Sequence, residues 1–433
     1  MTPGPVAAIM FGVFGALIVL RVPVSFALGL ACLPVFILDD RLTPIVLITE
    51  MQRSYNAFIL LAVPFFLLAA NIMNSAGITE RLVAFTRTLV GHFRGGLAQV
   101  NVVVSMIFAG ISGSSTADAA GEGSLIIPAM RREGYDASFT VAITACSSVM
   151  GVIIPPSILM VVWGGVMNVS IGGLFLAGFV PGIMVGLSQM VAVNLYARAR
   201  GYPVYPRATV REFVRTLGNA ALALLSPVIV VGGVVGGFVT PTEAAVLAVL
   251  WSFFIGVFLY RSLGLRQVPT VLYQTARLAS ISLFCIGTAS AFGWLLAYYR
   301  IPKAVVEWLA PFATDVTRAG FIIALVFLVI GCFIDAIPAI IVIGPLLAPL
   351  AQAAGMHPIH FAIIGVVSMA FGLVTPPYGL CLLIDCAIAE ITVADAIKDV
   401  LIILIPMLVA LALVILFPGL ILALPRWFMP KFV

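Results

Sequence analysis

Apolar residues run in long unbroken stretches along this chain, as in 220–239 and 401–424. They do not alternate with polar residues, as a membrane β-strand does over about 10 positions. Stretches of this kind predict α-helices, because about 20 apolar residues in helical form cross the hydrocarbon layer of a bilayer. Apolar spans fall near 5–20, 24–38, 56–73, 97–111, 139–150, 157–166 and 172–197. After a polar interval they resume near 220–239, 242–260, 278–298, 320–350, 359–371, 378–389 and 400–424. Several are too short to cross alone and are interrupted by Gly, Pro, Ser and Thr. Irregular backbone at membrane depth must find partners in the protein or line a cavity. The pattern therefore predicts broken helices and re-entrant hairpins. The first 21 residues carry Pro3 and Pro5 but no basic stretch ahead of the apolar run, and read as a retained first span rather than a signal peptide.

Composition fixes the class. Of 433 residues, 22 are Lys or Arg and 17 are Asp or Glu, a charged share of 9% beside 63% hydrophobic. An ordinary soluble protein is about 25% charged. A soluble globular enzyme, a disordered chain and a coiled coil are excluded, which leaves an all-α polytopic membrane protein in a lipid bilayer. The net charge of +5 is not gathered into a basic surface, so nucleic acid is not a partner. Six cysteines stand in apolar context without a CxxC pair, and are expected as small buried hydrophobes. The 39 Gly and 27 Pro are many for plain spanning helices.

Their placement shows a repeat. Gly110 and Gly331 lie 221 residues apart (331 − 110), as do Pro128 and Pro349, Gly134 and Gly355, and Gly151 and Gly372. Pro155-Pro156 and Pro376-Pro377 keep the same offset. The expected organisation is a first half over 1–205, a linker over 206–219 and a second half over 220–433. Hairpins are expected near 97–130 and 320–350, and broken helices near 139–166 and 359–389. Arg198, Arg200, Arg207, Arg211 and Arg215 make the middle interval cytoplasmic by the positive-inside rule. Arg131-Arg132 follows the first hairpin, whereas 352–358 has no Lys or Arg, so the two copies are expected to be inverted.

The candidate chemistry sits in the interruptions. Ser112, Ser114, Ser115 and Thr116 supply hydroxyl oxygens in a segment that should be buried. An unwound backbone there would add carbonyls for a hard cation such as Na⁺, and the amides of a half-helix N-terminus would suit a carboxylate. In Gly151-Val-Ile-Ile-Pro155-Pro156 and Gly372-Leu-Val-Thr375-Pro376-Pro377 the prolines remove amide hydrogens, freeing carbonyls around 151–154 and 372–375. We take Ser114, Ser115, Thr116, Pro155, Pro156, Pro376 and Pro377 as the substrate-facing candidates. Asp118, Glu122, Glu243, Asp335 and Asp385 are acids in apolar context, where a bundle interior or cavity is expected. Asp335 is the repeat partner of Ser114. Glu243, after Thr240-Pro-Thr, is expected to cap a helix. Gly110-Ile-Ser-Gly113 resembles the nucleophile motif of rhomboid-type proteases, but His92 lies in a loop-like stretch and His357 and His360 flank an expected periplasmic loop; all three are expected solvated or interfacial, and none sits mid-span as a base for Ser112.

Taken together, Ser112-Gly-Ser-Ser-Thr-Ala-Asp118, Pro128-Ala-Met with Gly134-Tyr-Asp136, Ile153-Ile-Pro-Pro-Ser157, Thr240-Pro-Thr-Glu-Ala244, Asp335-Ala-Ile-Pro-Ala-Ile340 and Thr375-Pro-Pro377 occur in order over nearly the whole chain. The set resembles the large membrane subunit of tripartite ATP-independent periplasmic (TRAP) transporters. The resemblance implies a secondary transporter of the bacterial inner membrane, not an enzyme, with an ion-transporter-superfamily fold that works as an elevator. It implies Na⁺-coupled uptake of an organic anion, such as a C4-dicarboxylate or a sugar acid. A small four-helix membrane subunit and a periplasmic substrate-binding protein are the implied partners. It further implies one Na⁺ site at Ser112, Ser114, Gly151, Ile154 and Pro156, and another at Asp335, Gly372, Thr375 and Pro377. Val152, Ser368, Phe371 and Tyr378 depart from the family's usual residues. A proton-coupled carrier without a binding protein, using Asp118 or Asp335, and a passive channel are the alternatives.

Overall fold

The computed structural model describes residues 2–432 and is helical throughout, with twenty α-helices among them. The first half runs through α1 (Pro3–Val19), α2 (Val24–Leu38), α3 (Ile45–Tyr55), α4 (Ala62–Ser75) and α5 (Ile78–Val90). It continues with α6 (Gly96–Ser112), α7 (Ser115–Arg132), α8 (Ala137–Ser148), α9 (Ile158–Met167) and α10 (Ile171–Arg200). The second half opens with α11 (Val210–Val235), α12 (Pro241–Phe254), α13 (Val268–Tyr298) and α14 (Ile301–Leu309). Then follow α15 (Val316–Gly331), α16 (Ala336–Ala353), α17 (Pro358–Gly372), α18 (Leu380–Ala389), α19 (Val393–Leu416) and α20 (Pro418–Phe428). Seven stretches of described residues are long and apolar enough to cross a bilayer: Phe58–Ser75, Ile171–Arg200, Val210–Val235, Pro241–Leu259, Val268–Tyr298, Ala336–Ala353 and Val393–Leu416.

The 221-residue offset extends from single residues to whole elements. Helix α16 begins and ends 221 residues after α7, and His357, capping α17, follows Asp136 before α8 by the same interval. Past the second break the offset becomes 222, because two residues, Tyr378 and Gly379, stand between Pro377 and α18, where Ser157 alone stands between Pro156 and α9. Packing repeats as well. Helix α7 lies on α18 of the other half, and α16 lies reciprocally on α9. Likewise α8 packs on α19 and α10 on α17, while α10 and α19 meet each other. Helices α6–α10 and α15–α19 thus form one interlocked body. Around it, α4 packs on α12 and α13, and α2 on α13.

Four elements escaped the hydropathy pattern. Helices α3, α5 and α14 carry charges such as Glu50, Arg81, Arg87 and Glu307, so an apolar scan passes over them. The apolar run 400–424 is two helices, because Pro418, which has no amide hydrogen, starts α20 after Phe417. The interval expected as a linker over 206–219 is loop only to Thr209. Its remainder is the start of α11, where the Thr209 hydroxyl accepts the Glu212 amide at 3.2 Å. Glu243 does cap a helix: it closes a reciprocal box with Thr240, its Oε2 accepting the Thr240 amide at 2.7 Å. All six cysteines are buried and free.

Candidate functional site

Each of two helix–tip–helix units faces the proline break of its own half. In the first, α6 ends at Gly113, whose φ of +66° suits a residue without a side chain, and Ser114 caps α7. In the second, α15 ends at Gly331 and Asp335 caps α16, accepting the Ala336 amide at 2.8 Å. One backbone hydrogen bond ties each tip to its own break. Ile158 donates to the Gly113 carbonyl at 3.1 Å, and Tyr378 donates to the Cys332 carbonyl at 3.0 Å.

The breaks follow from helix arithmetic. The carbonyls of residues 151, 152, 372 and 373 should receive amide hydrogens from residues 155, 156, 376 and 377, and all four of these are prolines without one. Both Pro-Pro bonds are cis. The Val152 carbonyl accepts the Ser157 hydroxyl at 2.6 Å, and the Leu373 carbonyl accepts the Cys381 amide at 3.0 Å. The Gly151 carbonyl takes no turn or loop bond, and the Gly372 carbonyl takes one, from Thr375 at 3.1 Å. The Thr375 hydroxyl itself bonds the Phe371 carbonyl at 2.8 Å.

Close backbone approach holds tip and break together. A Cβ on Gly151 would meet Asp118 and lie 3.0 Å from the Ser114 carbonyl carbon, and one on Gly113 would lie 2.8 Å from the Pro156 oxygen. A Cβ on Gly372 would stand 2.5 Å from Gly331 Cα. Ser112, Ser114, Gly151 and Pro156 therefore gather at one place, and Gly372 and Thr375 lie beside the second tip. The Ile154 side chain packs on Gly182. Asp118 is fully buried. Neither carboxylate oxygen has a hydrogen bond, although the Ser112 hydroxyl stands near. Glu122, one turn further, has Ser105 Oγ at 2.9 and 3.0 Å. Asp385, on α18, is buried against Gly123 with no hydrogen bond.

Between the two tips and the outer helices lies a cavity of about 810 Å³. Its inner wall is made by the starts of four helices: Ser115–Ala117 of α7, Ile158 and Leu159 of α9, Ala336 and Ile337 of α16, and Leu380 of α18. The first amides of a helix have no partner inside it and carry partial positive charge. The outer wall is Leu67, Asn71 and Asn74 of α4 with Gln274, Leu278 and Ser282 of α13. Asn71 also joins these two helices, donating to Thr275 Oγ1 at 2.8 Å. No Lys, Arg or His lines the cavity, and Asp335 is its one charged residue.

Of the substrate-facing candidates, Ser114, Ser115 and Thr116 line this cavity, while Pro155, Pro156, Pro376 and Pro377 do not. Pro155 and Pro156 are buried and Pro377 is exposed. The prolines shape the wall without forming it. The amides of the outer wall went unread in the sequence. Their one signal there is Asn71 and Asn74, three residues apart in an otherwise apolar run. No histidine approaches Ser112, whose hydroxyl instead accepts the Ser114 amide at 3.3 Å. His360, expected to be solvated or interfacial, is buried, with Nε2 2.9 Å from the Val414 carbonyl.

The sequence model described as "Tripartite ATP-independent periplasmic transporter, DctM component" matches residues 11–420. The chain belongs to this family. The DctM-family assignment agrees with two relatives that match almost end to end. The sialic acid TRAP transporter large permease protein SiaM of Vibrio cholerae is 36% identical over 97% of this chain and 98% of its own. The C4-dicarboxylate TRAP transporter large permease protein DctM of Pseudomonas aeruginosa is 37% identical over 87% of this chain and 88% of its own. The solved YdaH transporter of Alcanivorax borkumensis shares the fold, with a TM-score of 0.61 at 15% identity over 86% of this chain and 88% of that one. The chain is thus a TRAP transporter large permease, a multi-pass protein of the bacterial inner membrane.

Proposed function

We propose that this permease takes up an organic anion together with Na⁺, receiving the solute from a periplasmic binding protein and working beside a small four-helix membrane subunit. The observation that carries this reading is the cavity wall, where four helix starts present amides without any basic side chain. Such a wall suits an anion. Co-bound Na⁺ would supply the positive charge that the lining lacks. The hydroxyls of Ser112 and Ser114 with the Gly151, Ile154 and Pro156 carbonyls would hold one ion. Asp335, Thr375 and the carbonyls of Gly372 and Pro377 would hold another. Oxygen donors of this hard type fit an alkali cation.

The reciprocal packing of α7 on α18 and α16 on α9 supports an inverted relation between the halves, 1–205 and 220–433. It also supports the interlocked body moving as a unit against the outer helices, as an elevator. Reconstitution of the complete complex in proteoliposomes tests the coupling. Accumulation should follow an imposed inward Na⁺ gradient and stop when that gradient is removed. Accumulation that ignores Na⁺ and follows pH would sink the claim.

The second reading, proton coupling, draws on Asp118 and Asp385, buried with neither carboxylate bonded. An unpaired charge in such surroundings is costly. Asp118→Asn with unchanged Na⁺-driven uptake and an unchanged pH profile would remove Asp118 from that role.

A further inference from the structure

Helices α10 and α19 run antiparallel along one side of the interlocked body. Arg200, at the end of α10, reaches Asp399 near the start of α19 at 3.4 Å, and Gln189 Nε2 lies 3.4 Å from Met407 Sδ further along. On α10 the side toward α19 carries Ser188, Ala192 and Ala199, side chains too short to fill the space between the helices. A furrow of about 790 Å³ results, with Val191, Leu195, Ile402, Ile405 and Val409 exposed along it. A second furrow, of about 670 Å³, lies on the other side of Val191 and Leu195, toward Phe93 and Gln99. Those two residues line both furrows and form the ridge between them. Basic side chains stand at one end of each furrow: Lys398 and Arg200 in the first, Arg198 in the second. Arg200 is engaged by Asp136 at 2.5 Å as well as by Asp399. Asp399 is buried and also accepts the Ser138 and Tyr196 hydroxyls at 2.7 and 2.9 Å. Lys398 and Arg198 are exposed, and neither makes an ion pair among the described residues.

We infer that this face holds one anionic phospholipid of the cytoplasmic leaflet. Its phosphate lies between Lys398 and Arg198, and its two acyl chains lie in the two furrows. Charge supports this occupant. The two cations without a counter-ion stand at the helix ends that the Arg-rich interval sets on the cytoplasmic side, where basic sites between spans receive anionic headgroups. Length supports it too. From Lys398 to Val409 the first furrow follows α19 for about 16 Å, at 1.5 Å per residue. That is about half of a hydrocarbon core of about 30 Å, the depth of one leaflet. Two furrows parted by a single ridge match two chains joined at one head. A protein helix, about 10 Å across, would have to override the Val191–Leu195 ridge and would enter neither furrow. A free phosphate would leave both furrows unused. Neither furrow shares a residue with the cavity at the tips, so this site is separate from the one proposed for solute and ions.

Native mass spectrometry of the full-length permease with its membrane partner, stripped of lipid in detergent, tests the inference. The probes are phosphatidylglycerol and, separately, phosphatidylcholine with the same acyl chains. One phosphatidylglycerol should bind at least roughly tenfold more tightly than phosphatidylcholine, and inorganic phosphate should not displace it. Lys398→Gln and Arg198→Gln should each weaken phosphatidylglycerol about fivefold and leave phosphatidylcholine unchanged. Ile405→Trp, which fills the first furrow, should weaken both lipids. Each variant should keep its lipid-free melting temperature within a few degrees. Equal affinity for the two lipids overturns the inference. So does a folded double variant, Lys398→Gln with Arg198→Gln, that binds phosphatidylglycerol like the wild type, or an Ile405→Trp protein that binds both lipids as before. Displacement of the lipid by inorganic phosphate overturns it as well. A photoactivatable label on Leu195→Cys should capture phospholipid in the membrane, and capture of the small membrane subunit in its place overturns the assignment of the occupant.

Discussion

At the scale of single residues, glycines and prolines do most to place this site. Gly372 faces Gly331 so closely that a methyl group on it would stand 2.5 Å from backbone on the neighbouring helix. Backbone cannot move aside as a flexible side chain can. Gly372→Ala should destabilise the complex by about 1–3 kcal/mol and remove uptake. Gly12→Ala, on α1, meets nothing within 4 Å and should leave the melting temperature unchanged or slightly raised. A Gly372→Ala protein that melts and transports like the wild type would show that the close approach is not maintained in the membrane. These residues were legible in the sequence because a missing amide hydrogen or a missing Cβ acts locally, wherever it occurs. The outer wall was not legible. Asn71 meets Thr275 across 204 positions, and no local rule places one near the other. His360 misled for a similar reason, since only the packed position of α19 supplies the Val414 carbonyl that accepts it.

At the scale of elements, caps set where helices start. Thr240 and Glu243 close their box at the start of α12, with the Thr240 hydroxyl 2.8 Å from Glu243 Oε2. Thr240→Ala should cost about 1 kcal/mol, seen as a lower melting temperature with an unchanged apparent KM for uptake. A large change in KM would place this cap in the transport cycle instead. A second junction joins α8 to α10 and the loop after it. Asp136 accepts hydrogen bonds from the Tyr202 hydroxyl at 2.6 Å and from Arg200 at 2.5 Å. The bond from Tyr202, then that from Arg200, holds the Asp136 carboxyl below its usual range. A carboxyl shifted down stabilises the fold above its unfolded value, near pH 4, and loses that contribution as pH falls through the lower folded value. Asp136→Asn should therefore lower thermal stability by an amount constant from pH 8 to pH 5. The gap should narrow only below about pH 4. A gap that closes between pH 7 and pH 5 would contradict this. Charged, amphipathic helices such as α5 lay outside an apolar scan, because hydropathy records the lipid-like stretches and not the pattern of one apolar face.

At the scale of the whole molecule, the offset of 221 is the strongest thread from sequence to architecture. It gave the two breaks and the two tips, and the packed helices repeat it in their lengths and their contacts. The extra residue after the second break changes its surroundings. Ser157 caps α9 and grips the Val152 carbonyl, whereas Gly379 leaves the start of α18 without a side-chain cap. The two halves are thus alike in frame and unlike at their breaks.

The most direct test of the central claim is co-transport of ²²Na⁺ with the solute into proteoliposomes holding the complete complex. The account predicts that each solute enters with more than one Na⁺. It also predicts that Gly151→Ala and Thr375→Val each lower Na⁺ entry and solute entry together. Solute accumulation with no accompanying ²²Na⁺ would contradict it.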